Sequence, residues 1–328
     1  MPPTKPFGRT VCAMVTPFTA DGALDLDGAQ RLADRLVTEG GCDGLVLSGT
    51  TGESPTTTDA EKSALVTAVV EAVGDRARIT AGVGSADTRH TAGLARAAER
   101  AGAHGVLVVT PYYSRPPQED IAEHFRTVAD AVGVPVMLYD IPGRTGTRIE
   151  PDTMLRLAEH PRVAGVKDCA YDLLGSSKVI AATGLAYYSG CEELNLPLRA
   201  VGGTGYVSTV ANVAGPALAA VLDAFDRGEN AEATRLHQRV LPLAEQMMAA
   251  GLPGTVTAKA LLGALGLPGG PVRAPLREAS KERTEALLKV YEGLGQAVIP
   301  PVREGTGQSG AGCEPRPGRL SRCCGGSR

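Results

Sequence analysis

The sequence predicts an α/β protein, a closed (β/α)8 TIM barrel followed by a C-terminal helical region. Three observations predict it. Short apolar runs rich in β-branched residues recur eight times between Val11 and Ser208, a segment with helical periodicity follows most of them, and after Gly215 the strand-like runs stop while the helical ones continue. Continuous rather than alternating apolar runs are what strands buried on both faces require, as in a parallel sheet covered by helices. An open, doubly wound sheet fits the same alternation. Eight repeats over roughly 225 residues fit the closed barrel, and no G-x-G-x-x-G follows an early strand to mark a dinucleotide-binding turn.

The predicted strands are Val11–Val15, Gly44–Leu47, Arg78–Ala81, Gly105–Val109, Val134–Tyr139, Val163–Lys167, Ala186–Ser189 and, from a weaker run, Tyr206–Ser208. Asp27 is placed to cap a helix running through Leu36. Thr58-x-x-Glu61 is a capping box for a helix ending near Gly74, and Asp87 opens another that ends near Gly102. Gln118–Ala131, Pro151–Glu159 and Asp172–Ala182 complete the set, with Pro151 at the first helical position, where its missing N–H costs nothing. Beyond the barrel, Pro216–Phe225, Ala231–Ala249, Thr255–Leu265 and Leu276–Leu294 have helical periodicity. The expected organisation is a barrel over 1–225 and a helical region over 226–299. A tail over 300–328, rich in Gly, Pro, Ser and Arg without apolar period, is predicted to be disordered.

Composition excludes several functions. A net charge of −3 argues against nucleic-acid and polybasic membrane partners. The cysteines at 12, 42, 169, 191, 313, 323 and 324 form no C-x-x-C pair, and the histidines are not spaced for a metal site, so no metal is expected. The first four cysteines lie in or beside apolar runs, where thiols pack as small hydrophobes. No apolar stretch is long enough to span a bilayer and no signal peptide is evident, so the expected location is the cytoplasm.

Barrel enzymes build their sites at the C-terminal ends of the strands, and the residues falling there are unusually polar. Lys167 ends the sixth strand. An ammonium with apolar walls loses solvation, its pKa falls, and the neutral amine can attack a ketone to form a Schiff base. Gly49-Thr50-Thr51-Gly52 follows the second strand and combines main-chain N–H groups able to approach an anion with hydroxyls able to relay protons; on its own it is also an ordinary strand-to-helix turn. Tyr139 ends the fifth strand, where a phenol near an imine can shuttle protons, although a solitary tyrosine is more often a core residue. Tyr112-Tyr113 suits loop packing or a subunit contact. Arg144, in a glycine-rich loop, can clamp a carboxylate with two hydrogen bonds. An amine, two phenols, two hydroxyls and one arginine on one rim suit carbon–carbon chemistry on a small keto acid.

Gly49-Thr-Thr-Gly-Glu53, Pro111-Tyr-Tyr-x-Arg-Pro116, Tyr139-x-Ile-Pro-Gly-Arg-Thr-Gly146 and Gly165-Val-Lys-Asp168 occur in that order. Over about Gly8 to Leu294 the chain resembles the pyruvate-dependent class I aldolases of the dihydrodipicolinate synthase and N-acetylneuraminate lyase family. The resemblance implies a barrel that needs no cofactor and assembles as a homotetramer, a dimer of dimers. It implies Lys167 as the Schiff-base lysine for pyruvate, Tyr139 as the proton-handling tyrosine, and Thr50 as its link to Tyr113, which is inserted from the neighbouring subunit. It also implies main-chain groups near Thr50 and Thr51, and at Gly190 and Val207, around the pyruvate. Arg144 is implied to bind the carboxylate of aspartate-4-semialdehyde, which favours the lysine-pathway synthases over the lyases of sialic acid and keto-sugar acids. A 2-keto-3-deoxy sugar acid aldolase is the second reading, and a non-catalytic keto-acid-binding paralogue the third.

Two departures stand out. Cys191-Glu192 replaces the pair of aspartates common after Ser189-Gly190, and Tyr206 is an unusual choice expected beside the pocket. In lysine-sensitive members the positions corresponding to Ser54, Pro55, Asp59, Lys62, Ala86, His90 and Tyr112 form an allosteric site. A lysine ligand's ammonium would meet the like charge of Lys62, so weak or absent inhibition by lysine is expected.

Overall fold

The computed structural model describes residues 5–248 and 251–295. Among them, eight parallel strands pair in chain order: β1 Thr10–Ala13, β2 Gly44–Leu47, β3 Arg78–Gly82, β4 Gly105–Val109, β5 Val136–Asp140, β6 Val163–Asp168, β7 Ala186–Ser189 and β8 Gly205–Ser208. Strand β8 returns to pair with β1, Val207 opposite Val11, so the sheet is a closed barrel and not an open one.

The helices are α1 Leu26–Thr38, α2 Asp59–Val73, α3 Thr88–Arg100, α4 Gln118–Asp130, α5 Pro142–Thr145, α6 Pro151–Leu157, α7 Leu173–Ala182, α8 Asn195–Ala200, α9 Ala211–Asp226, α10 Asn230–Met248, α11 Gly254–Ala264 and α12 Lys281–Glu292. The capping box forms as the sequence predicts: Glu61 N–H donates to Thr58 Oγ1 at 3.2 Å, and Thr58 N–H donates to Glu61 Oε2 at 2.8 Å.

Several boundaries differ from expectation, each for a local reason. Asp25, not Asp27, caps α1, accepting from Gly28 N–H at 2.8 Å; Asp27 sits in the first turn. Strand β1 ends at Ala13 because Val15 N–H donates to the Asn212 side chain of α9 instead of continuing the ladder. Strand β5 begins at Val136, since Pro135 has no N–H for the sheet. Helix α9 starts five residues before Pro216 and kinks at Ala214, with φ −133° and ψ 33°, where the proline interrupts the hydrogen-bond ladder. Helix α12 begins at Lys281, capped by Ser280, which accepts from Arg283 N–H at 3.2 Å. The end of the helix expected at Ala249 and the tail at 300–328, with Cys313, Cys323 and Cys324, lie outside the described residues.

Alternation along the strands divides the side chains between two cores. Leu45, Val106, Val108, Leu138 and Val166 point outward against the helices. Val11, Val46, Leu107, Met137, Tyr188 and Val207 fill the barrel interior. Phe7 plugs the N-terminal end, its ring edge-on to Tyr188 at a centroid distance of 6.1 Å. Gly105 and Gly165 leave room for it: a Cβ there would stand 2.7 and 3.1 Å from the Phe7 ring. With that end sealed, the polar interior lies at the C-terminal end, where α10 and α11 form one wall of a cleft. Among the described residues no helix is long and apolar enough to cross a membrane.

Candidate active site

Lys167 lies on β6 directly opposite Tyr139 on β5 and Tyr188 on β7. Strand alternation turns all three into the barrel, and the lysine is only 5% exposed. Its Nζ is 4.4 Å from the centroid of the Tyr139 ring. Burial lowers its pKa, against the opposing pull of Cys169, Glu192 and Cys191, so the structure favours the neutral amine more than water does. The next residue pins the strand end: Asp168 accepts from Ser176 Oγ at 2.5 Å and from Ala170 N–H at 2.8 Å.

Burial likewise pushes the Tyr139 phenol up, partly offset by its hydrogen bond with Thr50, so it stays a protonated donor at neutral pH. Thr50 belongs to the turn after β2, which Ser48 and Glu53 bracket in left-handed conformation, at φ 51° and 55°. Non-glycine residues there cost about 1–3 kcal/mol each and persist only where their surroundings hold them. Buried Thr51 shares a 2.8 Å hydrogen bond with Thr209 after β8, and Thr255 of α11 donates to Thr50 O at 3.3 Å. Glu53 is held more firmly, in a buried ion pair 2.6 Å from Lys259 Nζ. The turn is therefore clamped from the C-terminal helices.

Lys167, Tyr139, Thr50, Thr51, Thr209 and Thr255 line a cleft of about 750 Å³ together with Gly190, Cys191 and Glu192 after β7, Arg144 on α5, and Leu241, Glu245 and Met248 on α10. Arg144 is exposed at the mouth, a position from which a guanidinium can hold an entering carboxylate. Glu192 does not project freely into the cleft. Its Oε1 accepts from Ser208 Oγ at 2.7 Å, Thr209 N–H at 3.0 Å and Val210 N–H at 3.2 Å, tying the end of β7 to the end of β8.

Of the residues singled out in the sequence, Lys167, Tyr139, Thr50, Thr51, Arg144 and Gly190 thus come together around one cleft. Tyr113 does not: it is 95% exposed, with φ 73°, and lies off the cleft of its own chain. Val207 sits in the interior packing layer and does not line the cleft. Tyr206 is a correction, since it points outward into the helix-facing core beside Cys12 and Cys42 rather than toward the pocket. Sequence reasoning missed Cys169, Tyr171 and Thr209 as lining residues, although all follow strand ends. It also missed the α10 wall, for which helical periodicity carries no signal.

A second cavity, of about 420 Å³, shares Thr50, Tyr139 and Arg144 with the first and extends to Ser54, Pro55, Asp59, Lys62, His90 and Tyr112. Lys62 Nζ already donates to Ser54 O at 2.9 Å and to Thr57 O, and His90 Nε2 lies 2.9 Å from Asp59 Oδ2.

A model of the dihydrodipicolinate synthetase family matches residues 6–293. The chain belongs to this family. Among relatives of the dihydrodipicolinate synthetase family, 4-hydroxy-tetrahydrodipicolinate synthase 1 of Streptomyces coelicolor is 74% identical over 288 residues, 88% of this chain and 94% of that one. The 4-hydroxy-tetrahydrodipicolinate synthase of Acidothermus cellulolyticus is 59% identical over 290 residues, 88% and 93% of the two chains. The crystal structure of a dihydrodipicolinate synthase from Bacillus anthracis superimposes with a TM-score of 0.84 at 37% identity, covering 87% of this chain and 98% of that one. The enzyme from Cyanidioschyzon merolae, solved with lysine bound, gives 0.85 at 37% identity and covers 89% and 100%.

Proposed function

We propose that this family member is a 4-hydroxy-tetrahydrodipicolinate synthase, a class I aldolase-type lyase of lysine and diaminopimelate biosynthesis. It condenses pyruvate with aspartate-4-semialdehyde through a Schiff base on Lys167. The observation that carries the residue assignment is the pairing of a buried, solvent-stripped lysine with the Tyr139 ring at 4.4 Å in a cleft ringed by Thr50, Thr51, Gly190 and Arg144.

The chemistry follows from those environments. Lys167 attacks the pyruvate ketone as the neutral amine that burial favours. Tyr139 donates the proton that lets hydroxide leave as water, and the protonated imine then serves as electron sink when a methyl proton departs. Main-chain N–H groups of the Thr50–Thr51 turn hold the pyruvate carboxylate, with the Gly190 main chain lining the cleft beside it. The enamine carbon attacks the aldehyde while Arg144 grips the second substrate's carboxylate. The substrate amine then attacks the imine carbon, closes the ring and releases Lys167. Tyr113, which does not line its own cleft, completes the proton relay from a neighbouring subunit, in a homotetramer built as a dimer of dimers and located in the cytoplasm.

Borohydride reduction in the presence of pyruvate tests the assignment. The expected product is a covalent adduct on Lys167 that Lys167→Ala lacks. An adduct on another lysine, or none, rejects Lys167 as the nucleophile, and condensation assays with the semialdehyde against keto-sugar acid cleavage test the substrate.

A further inference from the structure

The mechanism leaves two thiols beside the nucleophile unused. Cys169 follows β6, Cys191 lies two residues beyond β7, and both line the cleft. The strands are in register here, Asp168 opposite Ser189, and Gly190 N–H donates to Asp168 O at 2.9 Å. A one-residue offset between neighbouring strands separates Cα atoms by roughly 6 Å, inside the span of about 4.4–6.8 Å that a disulfide bridges. The Cys169 sulfur rests on Gly190, where an added Cβ would come within 2.3 Å of it and 3.0 Å of Lys167 Cε. Both thiols pack against the barrel-interior cluster, the Cys191 thiol is close enough to raise the pKa of Cys169, and Cys191 is partly open to solvent. A second pair of neighbouring thiols, Cys12 and Cys42, is sealed in the helix-facing core. Access is what distinguishes the pair in the cleft: Cys12 and Cys42 are buried, whereas Cys191 is partly exposed.

We propose that Cys169 and Cys191 are a reversible thiol–disulfide switch on the wall of the Lys167 cleft, closed by exchange with a small disulfide. The Cys191 thiolate attacks one sulfur of the small disulfide, giving a mixed disulfide and one released thiolate. Cys169 then gives up its proton, attacks the Cys191 sulfur and expels the second small thiol. Two protein thiols are oxidised and one small disulfide is reduced to two thiols. The neighbouring Cys191 thiol and burial hold the Cys169 thiol well above its ordinary pKa, which makes the second step the slow one. The closed bond draws the Gly190 link against Lys167, blocking the position where a keto acid must approach the amine.

Treatment of the reduced full-length protein with 2-hydroxyethyl disulfide, then alkylation and tryptic digestion, tests this. The expected product is the peptide Asp168–Lys178 joined to Val179–Arg199, with Cys12 and Cys42 alkylated only after unfolding. Activity should fall in step with that linked peptide and return with dithiothreitol. Cys169→Ser should stop at the mixed disulfide on Cys191, and Cys191→Ser should retain its own reduced-state activity under the same treatment. Absence of the linked peptide, its formation without loss of activity, or equal inactivation of Cys191→Ser would each overturn the proposal. The peptide readout does not depend on which aldehyde the enzyme uses, so its failure is separate from failure of the functional assignment.

Discussion

Lys167 and Tyr139 are register partners on adjacent strands, with the lysine nitrogen 4.4 Å from the phenol ring centroid. The parallel ladder holds their separation, so nucleophile and proton donor are positioned by backbone hydrogen bonds rather than by mobile loops. Removing the hydroxyl while keeping the ring isolates its chemistry. Tyr139→Phe should lower kcat by about 10²–10⁴-fold, the usual scale of general acid–base catalysis. Stopped-flow measurement of imine formation with pyruvate checks this, because the loss should appear in that step and leave the fold intact by circular dichroism.

Directly behind that pair, Asp140 faces Asp168. Burial, aided by the Asp168 charge and opposed by the Ile149 N–H bond, raises the Asp140 carboxyl from 3.8 to about 7. Folding therefore favours its protonated form. That contribution is fully present below the unfolded-state pKa and is lost as pH rises through about 7. Asp140→Asn should be stabilised relative to the parent increasingly from about pH 4 to about pH 8, by no more than about 4 kcal/mol. Urea unfolding across that range gives the difference directly, and a pH-independent difference would refute the assignment.

The buried pair of Glu53 and Lys259 anchors the Thr50–Thr51 turn, with side chains 1% and 3% exposed. Lys259 also lies 4.1 Å from the Phe18 ring centroid, and Arg273 N–H donates to Glu53 Oε2 at 2.8 Å. Breaking one side leaves a buried charge, so Lys259→Met should cost about 3–5 kcal/mol. Adding Glu53→Gln should restore part of that loss, which a double-mutant cycle by thermal or urea unfolding measures.

The exposure of Tyr113 makes a statement about assembly. If it acts in a neighbour's cleft, Lys167→Ala and Tyr113→Phe homomers should both be impaired. Mixing and reassembling them should recover activity in clefts that combine an intact Lys167 with a partner's intact Tyr113. Recovery is read by condensation rate against mixing ratio, and a strictly additive response would place the relay within one chain.

In the second cavity, the Lys62 ammonium already occupies the carbonyl oxygens of Ser54 and Thr57, and burial lowers its pKa without removing its repulsion of another ammonium. Inhibition by lysine should be weak or absent. A sub-millimolar inhibition constant in steady-state assays would contradict this, and because Lys62 supplies the repelling charge, Lys62→Gln should increase sensitivity.

The periodicity of the apolar runs determined the alternation of strands with helices, the doubly covered sheet and the polar rim, because burial on two faces demands uninterrupted hydrophobic strands. Lys167, Tyr139, Thr50, Thr51, Arg144 and Gly190 were legible for the same reason: each ends a strand or begins the loop after it, and the barrel directs those positions to one mouth. Closure of the sheet was legible only through the count of eight repeats; the pairing of β8 with β1 that makes it spans almost the whole barrel sequence and was decided by the tertiary structure. The inward or outward facing of Tyr206 and Val207, which a one-residue register choice reverses, was not legible. The tertiary structure alone decided that Glu192 is spent bridging two strand ends, that α10 walls the cleft, and that Glu53 and Lys259, 206 positions apart in the chain, meet as a buried pair. Such contacts follow from three-dimensional packing between distant segments, on which local pattern carries no information.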